Sequence, residues 1–446
     1  MPSISNASVV QDIASAWKAL EPAFLARTPQ SRALFEGALA HLPGGNTRSV
    51  LHAEPYPVYA ASAEGAESVD VDGHRYVDFV GEFSAGLFGH SDPVIRRAID
   101  AALDRGWVMA APIAEEQRLA ALLAGRFPSI EQVRFCNSGT EANLLALATS
   151  RAFTGRDTIL AFEQGYHGGV LTFSDRASPM NVPFDVRLAR FNDLDSVAEQ
   201  VEDVGAGLAA IIVEPMLGAG GNIPPRPGFL AGLRTLADRA GALLIFDEVK
   251  TSRLGAAGMQ GREGVTPDLT TLGKYLGGGL PLSAFGGRAD IMQRFDPKSP
   301  QGLKHAGTFN NNICSLSAAV AGLGSVYTPE RADAFTAWGD EVRGRINARF
   351  RGMSLPMQAT GVGSILSPHC AKSPIHSPGD IPAASAAMGK LLHRALQLEG
   401  VLVCARGDIY LSLPMKDTHI ERLVTGLVNF GDRYRPLIER AAAGEP

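Results

Sequence analysis

Cysteine is scarce in this chain: Cys136, Cys314, Cys370 and Cys404 are the four in 446 residues. Their scatter has neither the paired spacing of a zinc site nor the density of a disulfide framework. A small disulfide-stapled scaffold is excluded, and a reducing compartment fits. Basic charge is not in excess either. Lys and Arg number 41 against 46 Asp and Glu, a net charge of -5, whereas non-specific nucleic-acid binding wants a basic face. No uninterrupted apolar run approaches the ~20 residues of a membrane span. The stretch Met1 to Trp17 holds Asp12 but no Lys or Arg, so it lacks the charged region and apolar core of a secretory signal. These absences lead to the expectation of a cytoplasmic protein. Internal repeats and low-complexity tracts are missing as well. What remains is ordinary for a globular enzyme: 45% hydrophobic and 20% charged residues, in a chain long enough for roughly two or three domains of ~150 residues.

Residues 9–42 read as one or two amphipathic helices, interrupted at Pro29 and again at Pro43-Gly44-Gly45. Ser68 to Phe79 has strand–turn–strand character, with Asp72-Gly73 as the hairpin turn. Pro93 to Arg105 has helical periodicity. Residues 115–315 alternate strand-like apolar runs (133–135, 158–162, 209–213, 242–246, 283–285) with helical patterns such as 141–152 and 228–240. Such alternation argues for βαβ units and a mostly parallel sheet covered on both faces, with ligands beyond the carboxyl ends of its strands. After about residue 320 the pattern changes. A helix over 332–351 leads to short strands at 363–367, 401–404 and 409–413, a proline-rich loop spans 368–382, and a last helix starts at Thr418. The expectation is an α/β fold: a large central domain over 71–318, and a small α+β domain built from 319–446 together with the N-terminal segment 1–70.

The chemistry-bearing residues fall at the ends of those strands. Lys274 follows a short apolar run and precedes Gly277-Gly278-Gly279. A lone lysine is ordinarily a solvated charge. One held in an apolar pocket loses proton affinity and becomes an amine nucleophile toward carbonyls, as a Schiff-base lysine for pyridoxal phosphate (PLP) must be. Asn137-Ser138-Gly139-Thr140-Glu141 leaves a strand and opens a helix. Its free N–H groups, two hydroxyls and helix dipole suit a phosphate, although a plain helix cap uses the same residues. Tyr166, beside Gly165 and two residues before Gly168, is either a ring for stacking on a planar cofactor or a half-buried turn residue. Glu214 ends another apolar strand, where it either orients a ligand group or faces solvent. Asp247 ends the most apolar strand and needs a cationic partner to remain ionised there. A pyridinium N–H is such a partner, and a carboxylate that keeps the ring protonated lets it take up electrons from a carbanion. Val249 is placed to pack on one ring face and Tyr166 on the other.

Taken in order, Ser-Gly-Thr-Glu-Ala-Asn (138–143), Tyr-His-Gly (166–168), Val-Glu-Pro (213–215), Phe-Asp-Glu-Val (246–249), Thr-Leu-Gly-Lys (271–274) and Gly-Thr-Phe (307–309) resemble the class III aminotransferases of PLP fold type I. The resemblance runs from about residue 40 to about 430. It implies that Lys274 forms the link to the cofactor and shuttles protons, and that Asp247 binds the pyridine nitrogen. Ser138, Gly139 and Thr140 would hold the phosphate, with Tyr166 and Val249 around the ring and Glu214 in the cofactor site. Thr308 would reach the phosphate of a neighbouring subunit, which implies a homodimer with shared sites. No metal is called for. Two departures stand out. Many members carry Gln after Asp-Glu-Val; here it is Lys250, which either points away or stabilises the cofactor's phenolate. Many also carry a substrate-binding Arg beside Pro-Pro-Leu near the C-terminus, where this chain has Tyr410-Leu411-Ser412-Leu413-Pro414. Asn46-Thr47-Arg48-Ser49-Val50-Leu51 and Ala405-Arg406-Gly407 instead resemble the β-phenylalanine and other β-amino acid aminotransferases within the class.

There, arginines from these two places recognise carboxylates, for which bidentate guanidinium bonding is suited. Arg48, Glu82, Phe83 and Arg406 are the expected substrate residues, with Phe83 and Phe88 lining an apolar side for an aryl group. The expected reaction moves the amino group of a β-amino acid such as β-phenylalanine to 2-oxoglutarate or pyruvate by a ping-pong mechanism. A glutamate-1-semialdehyde 2,1-aminomutase-type isomerase is the alternative, then a racemase or another ω-transaminase. A non-catalytic protein that kept the fold is opposed by the intact Lys274 and Asp247.

Overall fold

The structure, a computed structural model, describes residues 4–173, 178–299 and 302–444. Its centre is a seven-stranded sheet. In spatial order the strands are Gln132–Cys136, Ser283–Gly287, Leu269–Leu272, Leu243–Asp247, Leu208–Val213, Thr158–Phe162 and Asp185–Ala189. The last five run parallel, while Ser283–Gly287 is antiparallel to both neighbours. Every residue of Leu208–Val213, Leu243–Asp247 and Thr158–Phe162 is buried. With both faces covered, a strand reads as a continuous apolar run rather than as an alternation, which is why these three are plain in the sequence. The edge strand Asp185–Ala189 is largely exposed and has no such run.

Helices Pro93–Arg105, Gly139–Thr154, Phe229–Ala240, Pro329–Gly352 and Asp417–Ala443 lie where the periodicity places them. Local chemistry fixes their starts. Asp92 caps the first by accepting from the N–H groups of Val94 and Ile95, with Pro93 at the position where no donor is needed. The N-terminal region is three helices rather than one or two: Ile4–Lys18, Glu21–Arg27 and Pro29–Ala38. Pro29 opens the third helix instead of breaking a longer one.

Beyond residue 320 the sequence reading needs correction. The strand expected over 363–367 straddles a turn. Gln358–Val362 and Ile365–His369 form an antiparallel hairpin, with Gly363 (φ +52) between them. The strands expected over 401–404 and 409–413 shorten to Val401–Leu402 and Ile409–Tyr410. The 368–382 loop gives its first two residues to Ile365–His369. The helix Ser385–Leu398 has no counterpart in the sequence reading. Val401–Leu402 runs parallel to Val77–Asp78 and so completes a four-stranded sheet with Ala60–Glu64, Glu67–Asp70 and Arg75–Asp78. The two ends of the chain thus meet in one sheet. Among the described residues, no helix is long and apolar enough to cross a membrane, and all four cysteines are buried free thiols.

Candidate active site

Three parallel strands deliver three charged groups at or just past their carboxyl ends: Glu214 after Leu208–Val213, Asp247 at the end of Leu243–Asp247, and Lys274 two residues after Leu269–Leu272. The backbone at Lys274 is left-handed, φ +54, a conformation that persists only where its surroundings enforce it. Its Nζ donates to the carbonyl of Phe83 at 2.9 Å. That carbonyl is presented by an unusual turn in which Gly81, Glu82, Phe83 and Ser84 all have positive φ (47, 47, 56 and 79). Burial lowers the pKa of the Lys274 amine, while Asp247 and Glu214 pull it back up. The group is thereby biased toward the free-base form that attacks carbonyls.

Asp247 is buried, with 4% of its surface exposed, and four polar groups bond it. Its Oδ2 accepts from Asn143 Nδ2 at 2.8 Å and lies 2.7 Å from His167 Nδ1. Its Oδ1 accepts from the Val249 N–H at 3.0 Å and from Thr271 Oγ1 at 3.4 Å. Thr271 Oγ1 also donates to Asn143 Oδ1 at 2.7 Å, so the partners orient one another.

The helix Gly139–Thr154 starts beside this cluster. Ser138 Oγ accepts from the Glu141 N–H at 3.2 Å, and Thr140 Oγ1 accepts from the Gly169 N–H at 3.2 Å. Glycine is required at two points by close approach. A Cβ on Gly139 would fall 2.8 Å from Val249 Cγ1, and one on Gly168 (φ +129) 2.4 Å from Thr140 Oγ1. The Ser-Gly-Thr loop, the Tyr-His-Gly loop and the segment after Asp247 are therefore packed into one wall. Glu214 is buried and accepts from the N–H groups of Tyr166 at 3.0 Å and Gly218 at 3.2 Å. Burial raises its pKa, with His167 opposing and Asp247 adding to the shift. Tyr166 itself is about half exposed.

Of the expected substrate residues, three converge. Arg48 Nη2 donates to Glu82 Oε1 at 2.5 Å, and the Arg48 guanidinium stands 5.9 Å from the centre of the Phe83 ring. Arg406 comes from the other end of the chain, with Nη2 donating to Asp408 Oδ2 at 2.7 Å; the charge of Asp408 raises its pKa, against burial. Phe88 is not with them. It is buried against Tyr275 and Tyr327, so its expected place beside an aryl substrate is corrected to a core position. Thr308 lies in an exposed turn, and among the described residues no hydrogen bond ties it to the Lys274 cluster.

Sequence reasoning assigned no role to Asn143, His167, Thr271, Asn222 or Asp408. Asn143 and His167 sit inside motifs that were legible, and Asp408 follows Arg406 by two residues. Their side-chain partners lie more than eighty positions away in several cases, so spacing alone could not pair them. Lys250 points to Asn222, whose Oδ1 accepts from its Nζ at 2.5 Å.

The residues present fit PLP. A buried carboxylate ends the central strand, a helix N-terminus stands free beside it, and an amine of lowered pKa closes the set. Among the described residues the N–H groups of Gly139 and Thr140 have no protein partner, as an anion site requires. No group of three or more His, Cys, Asp or Glu side chains among those residues could hold a metal.

These features define a PLP-dependent aminotransferase, and the aminotransferase class-III family profile matches residues 50–429. The chain belongs to that family, whose cofactor is pyridoxal phosphate. It is 44% identical over 438 residues to the beta-phenylalanine transaminase of Variovorax paradoxus, covering 98% of this chain and 100% of that one. The crystal structure of the beta-phenylalanine aminotransferase from that organism superimposes with a TM-score of 0.93, over 95% of this chain and 98% of the other. An uncharacterized aminotransferase of Schizosaccharomyces pombe is 42% identical over 417 residues, 93% of this chain and 94% of that one. A glutamate-1-semialdehyde aminomutase from Pseudomonas aeruginosa PAO1 shares the fold at a TM-score of 0.86 with 26% identity, over 94% and 97% of the two chains.

Proposed function

We propose that this aminotransferase takes its amino group from a β-amino acid such as β-phenylalanine and passes it to 2-oxoglutarate or pyruvate. The observation that supports the reading is the chain of contacts from the reactive amine to Arg48. Lys274 Nζ bonds the carbonyl of Phe83, and the adjacent Glu82 holds Arg48. The Arg48–Glu82 pair is solvent-exposed on both sides. Such pairs are weak, so a substrate carboxylate readily displaces Glu82. Arg406 supplies a second guanidinium for the other carboxylate of 2-oxoglutarate. The 44% identical relative named for β-phenylalanine supports the same donor.

The cofactor supplies a carbonyl that condenses with amines and a ring that takes up electrons when the adjacent carbon loses its proton. The residues do the rest. Lys274 would carry the proton away from the amine-bearing carbon, general acid–base work for which a lowered pKa is suited. Asp247 would keep the ring nitrogen protonated. Ser138, Gly139 and Thr140 would hold the phosphate, Tyr166 and Val249 would pack on the ring, and Glu214 would orient the Tyr166 loop. We place Thr308 at the phosphate of the partner subunit in a homodimer, and the enzyme in the cytoplasm.

The test is a half-reaction. Pure holoenzyme is mixed with 3-amino-3-phenylpropanoate without any keto acid, and visible absorption is followed. The yellow band is expected to bleach and to return when 2-oxoglutarate or pyruvate is added. A band unmoved by the β-amino acid contradicts the donor assignment, and turnover of glutamate-1-semialdehyde with no acceptor present would favour the aminomutase alternative.

A further inference from the structure

Lys250 directly follows the Asp247–Val249 segment, yet its amine is turned into a separate buried network. Asn222, fully buried, accepts from Lys250 Nζ through Oδ1, and its Nδ2 donates to Asp408 Oδ1 at 3.3 Å and to the Leu366 carbonyl at 3.4 Å. Asp408 is buried as well. Its Oδ1 also accepts from Ser367 Oγ at 2.7 Å, and its Oδ2 accepts from Arg406 Nη2 at 2.7 Å and Tyr410 OH at 3.2 Å. The Lys250 ammonium lies 5.1 Å from the centre of that same tyrosine ring. The packing leaves no slack: a Cβ on Gly218 would fall 2.7 Å from Glu214 Oε2 and 3.1 Å from Lys250 Nζ. Two cations therefore address one buried carboxylate, Arg406 directly and Lys250 through Asn222. Arg406 has a solvent-facing edge, its side chain being 49% exposed against 4% for Asp408.

We propose that Lys250 is a positioning residue for substrate carboxylates, sharing the charge of Asp408 so that Arg406 is free to turn onto the carboxylate of a bound amino or keto acid. The proposal rests on the reading of Arg406 as a carboxylate-binding arginine. With Lys250 charged, Asp408 keeps a cationic neighbour when Arg406 leaves. With Lys250 neutral, that departure strands a buried carboxylate without a charged partner, which is strongly unfavourable. Arg406 then stays on Asp408 and substrate carboxylates bind less well.

The change falls within a workable pH range. Burial lowers the Lys250 pKa to about 8, with Asp408 and Glu214 favouring the proton and Arg406 and Lys274 opposing it. Burial would push the Asp408 carboxyl up, but Arg406 and Lys250 hold it below its ordinary value, so it remains charged throughout.

The experiment is steady-state kinetics of the holoenzyme with 3-amino-3-phenylpropanoate and 2-oxoglutarate, at pH values spanning the Lys250 pKa of about 8. Wild type, Lys250→Arg, Lys250→Gln and Arg406→Gln are compared, each first checked for its cofactor absorbance. In the wild type KM is expected to rise about fivefold or more as Lys250 loses its proton, a usual size for coupling between two sites. Lys250→Arg, which keeps its charge, is expected to hold KM flat. Lys250→Gln is expected to show the raised KM at every pH, with kcat less affected. Lys274 is coupled to both Lys250 and Arg406, so the decisive comparison is wild type against Lys250→Arg, which keeps the charge beside Lys274. A Lys250→Arg profile that rises as in the wild type, or a Lys250→Gln enzyme with wild-type KM below the titration, overturns the proposal. Arg406→Gln separates the two ideas. If it raises KM while the Lys250 series is silent, the proposal alone falls; if it leaves KM unchanged, the reading of Arg406 falls and the proposal with it.

Discussion

Two partly buried lysines share one active site, and their neighbours give them different work. Lys274 is held in a left-handed backbone with its amine on the Phe83 carbonyl, while Lys250 is bound into the Asn222–Asp408 network. Lys274→Ala removes the proton carrier. Turnover is expected to drop by at least about 10²–10⁴-fold, the usual worth of positioned acid–base catalysis, whereas the fold persists by circular dichroism. Asp247→Ala leaves Asn143 and His167 facing a void. We expect a stability loss of about 1–3 kcal/mol from the unpaired buried donors, measured by urea unfolding of the apoenzyme, together with loss of the visible cofactor band at stoichiometric PLP. Retention of both stability and colour would count against the role of Asp247. Glu214, Asp247 and Lys274 were legible because each ends or follows an apolar run, where a lysine or carboxylate is out of place. Asn143, Thr271 and Asn222 were not, because a neutral polar residue breaks no pattern and its partners lie far away in the chain.

At the scale of elements, the site is a set of strand ends pressed against one helix start. Gly139 lets the Ser-Gly-Thr loop approach Val249, so Gly139→Ala forces a methyl into contact with Val249 Cγ1. Overpacking of this kind costs about 1–3 kcal/mol. A lower Tm and weaker PLP retention are expected, and an unchanged Tm would mean the wall yields easily. Glu248, the neighbour of Asp247, belongs to the scaffold. Fully buried, it accepts from the N–H groups of Met259 and Gln260 at 2.9 Å each and from Thr251 Oγ1 at 3.0 Å, anchoring the start of the short helix Gly258–Glu263. Glu248→Ala is expected to lower Tm while the donor KM of the surviving holoenzyme stays near wild type. The buried parallel strands were readable because double-sided burial writes an apolar run. The hairpin Gln358–His369 was misplaced because its turn, Gly363-Ser364, falls inside the stretch 363–367 that reads as a strand. Ser385–Leu398 hid behind the proline-rich segment before it.

At the scale of the molecule, the sheet Ala60–Glu64, Glu67–Asp70, Arg75–Asp78 and Val401–Leu402 ties the two ends of the chain together, and the loop after Val401–Leu402 brings Arg406 into the network. We propose a division into an N-terminal segment 1–70, a large domain 71–318 and a small domain 319–446. Trp107, Val108 and Phe309 are 67%, 82% and 63% exposed, and Phe309 adjoins Thr308. An exposed apolar group beside a proposed cross-subunit residue is what a dimer interface needs. Light scattering is expected to give twice the 47.1 kDa chain mass; a monomer with full activity would remove the shared-site proposal. The order of motifs along the chain was the most informative part of the sequence, because each stands at a different strand end of one sheet. The dimer left only a resemblance to read, since nothing in one chain's pattern names the surface that a second copy covers.

The account turns on Lys274, and not Lys250, being the amine that holds the cofactor. Borohydride reduction of the holoenzyme, followed by proteolysis and peptide mass spectrometry, tests this directly. The cofactor's mass is expected on Lys274 alone, with none on Lys250 in the wild type. Label on Lys250, or label retained at full yield in Lys274→Ala, would contradict the account.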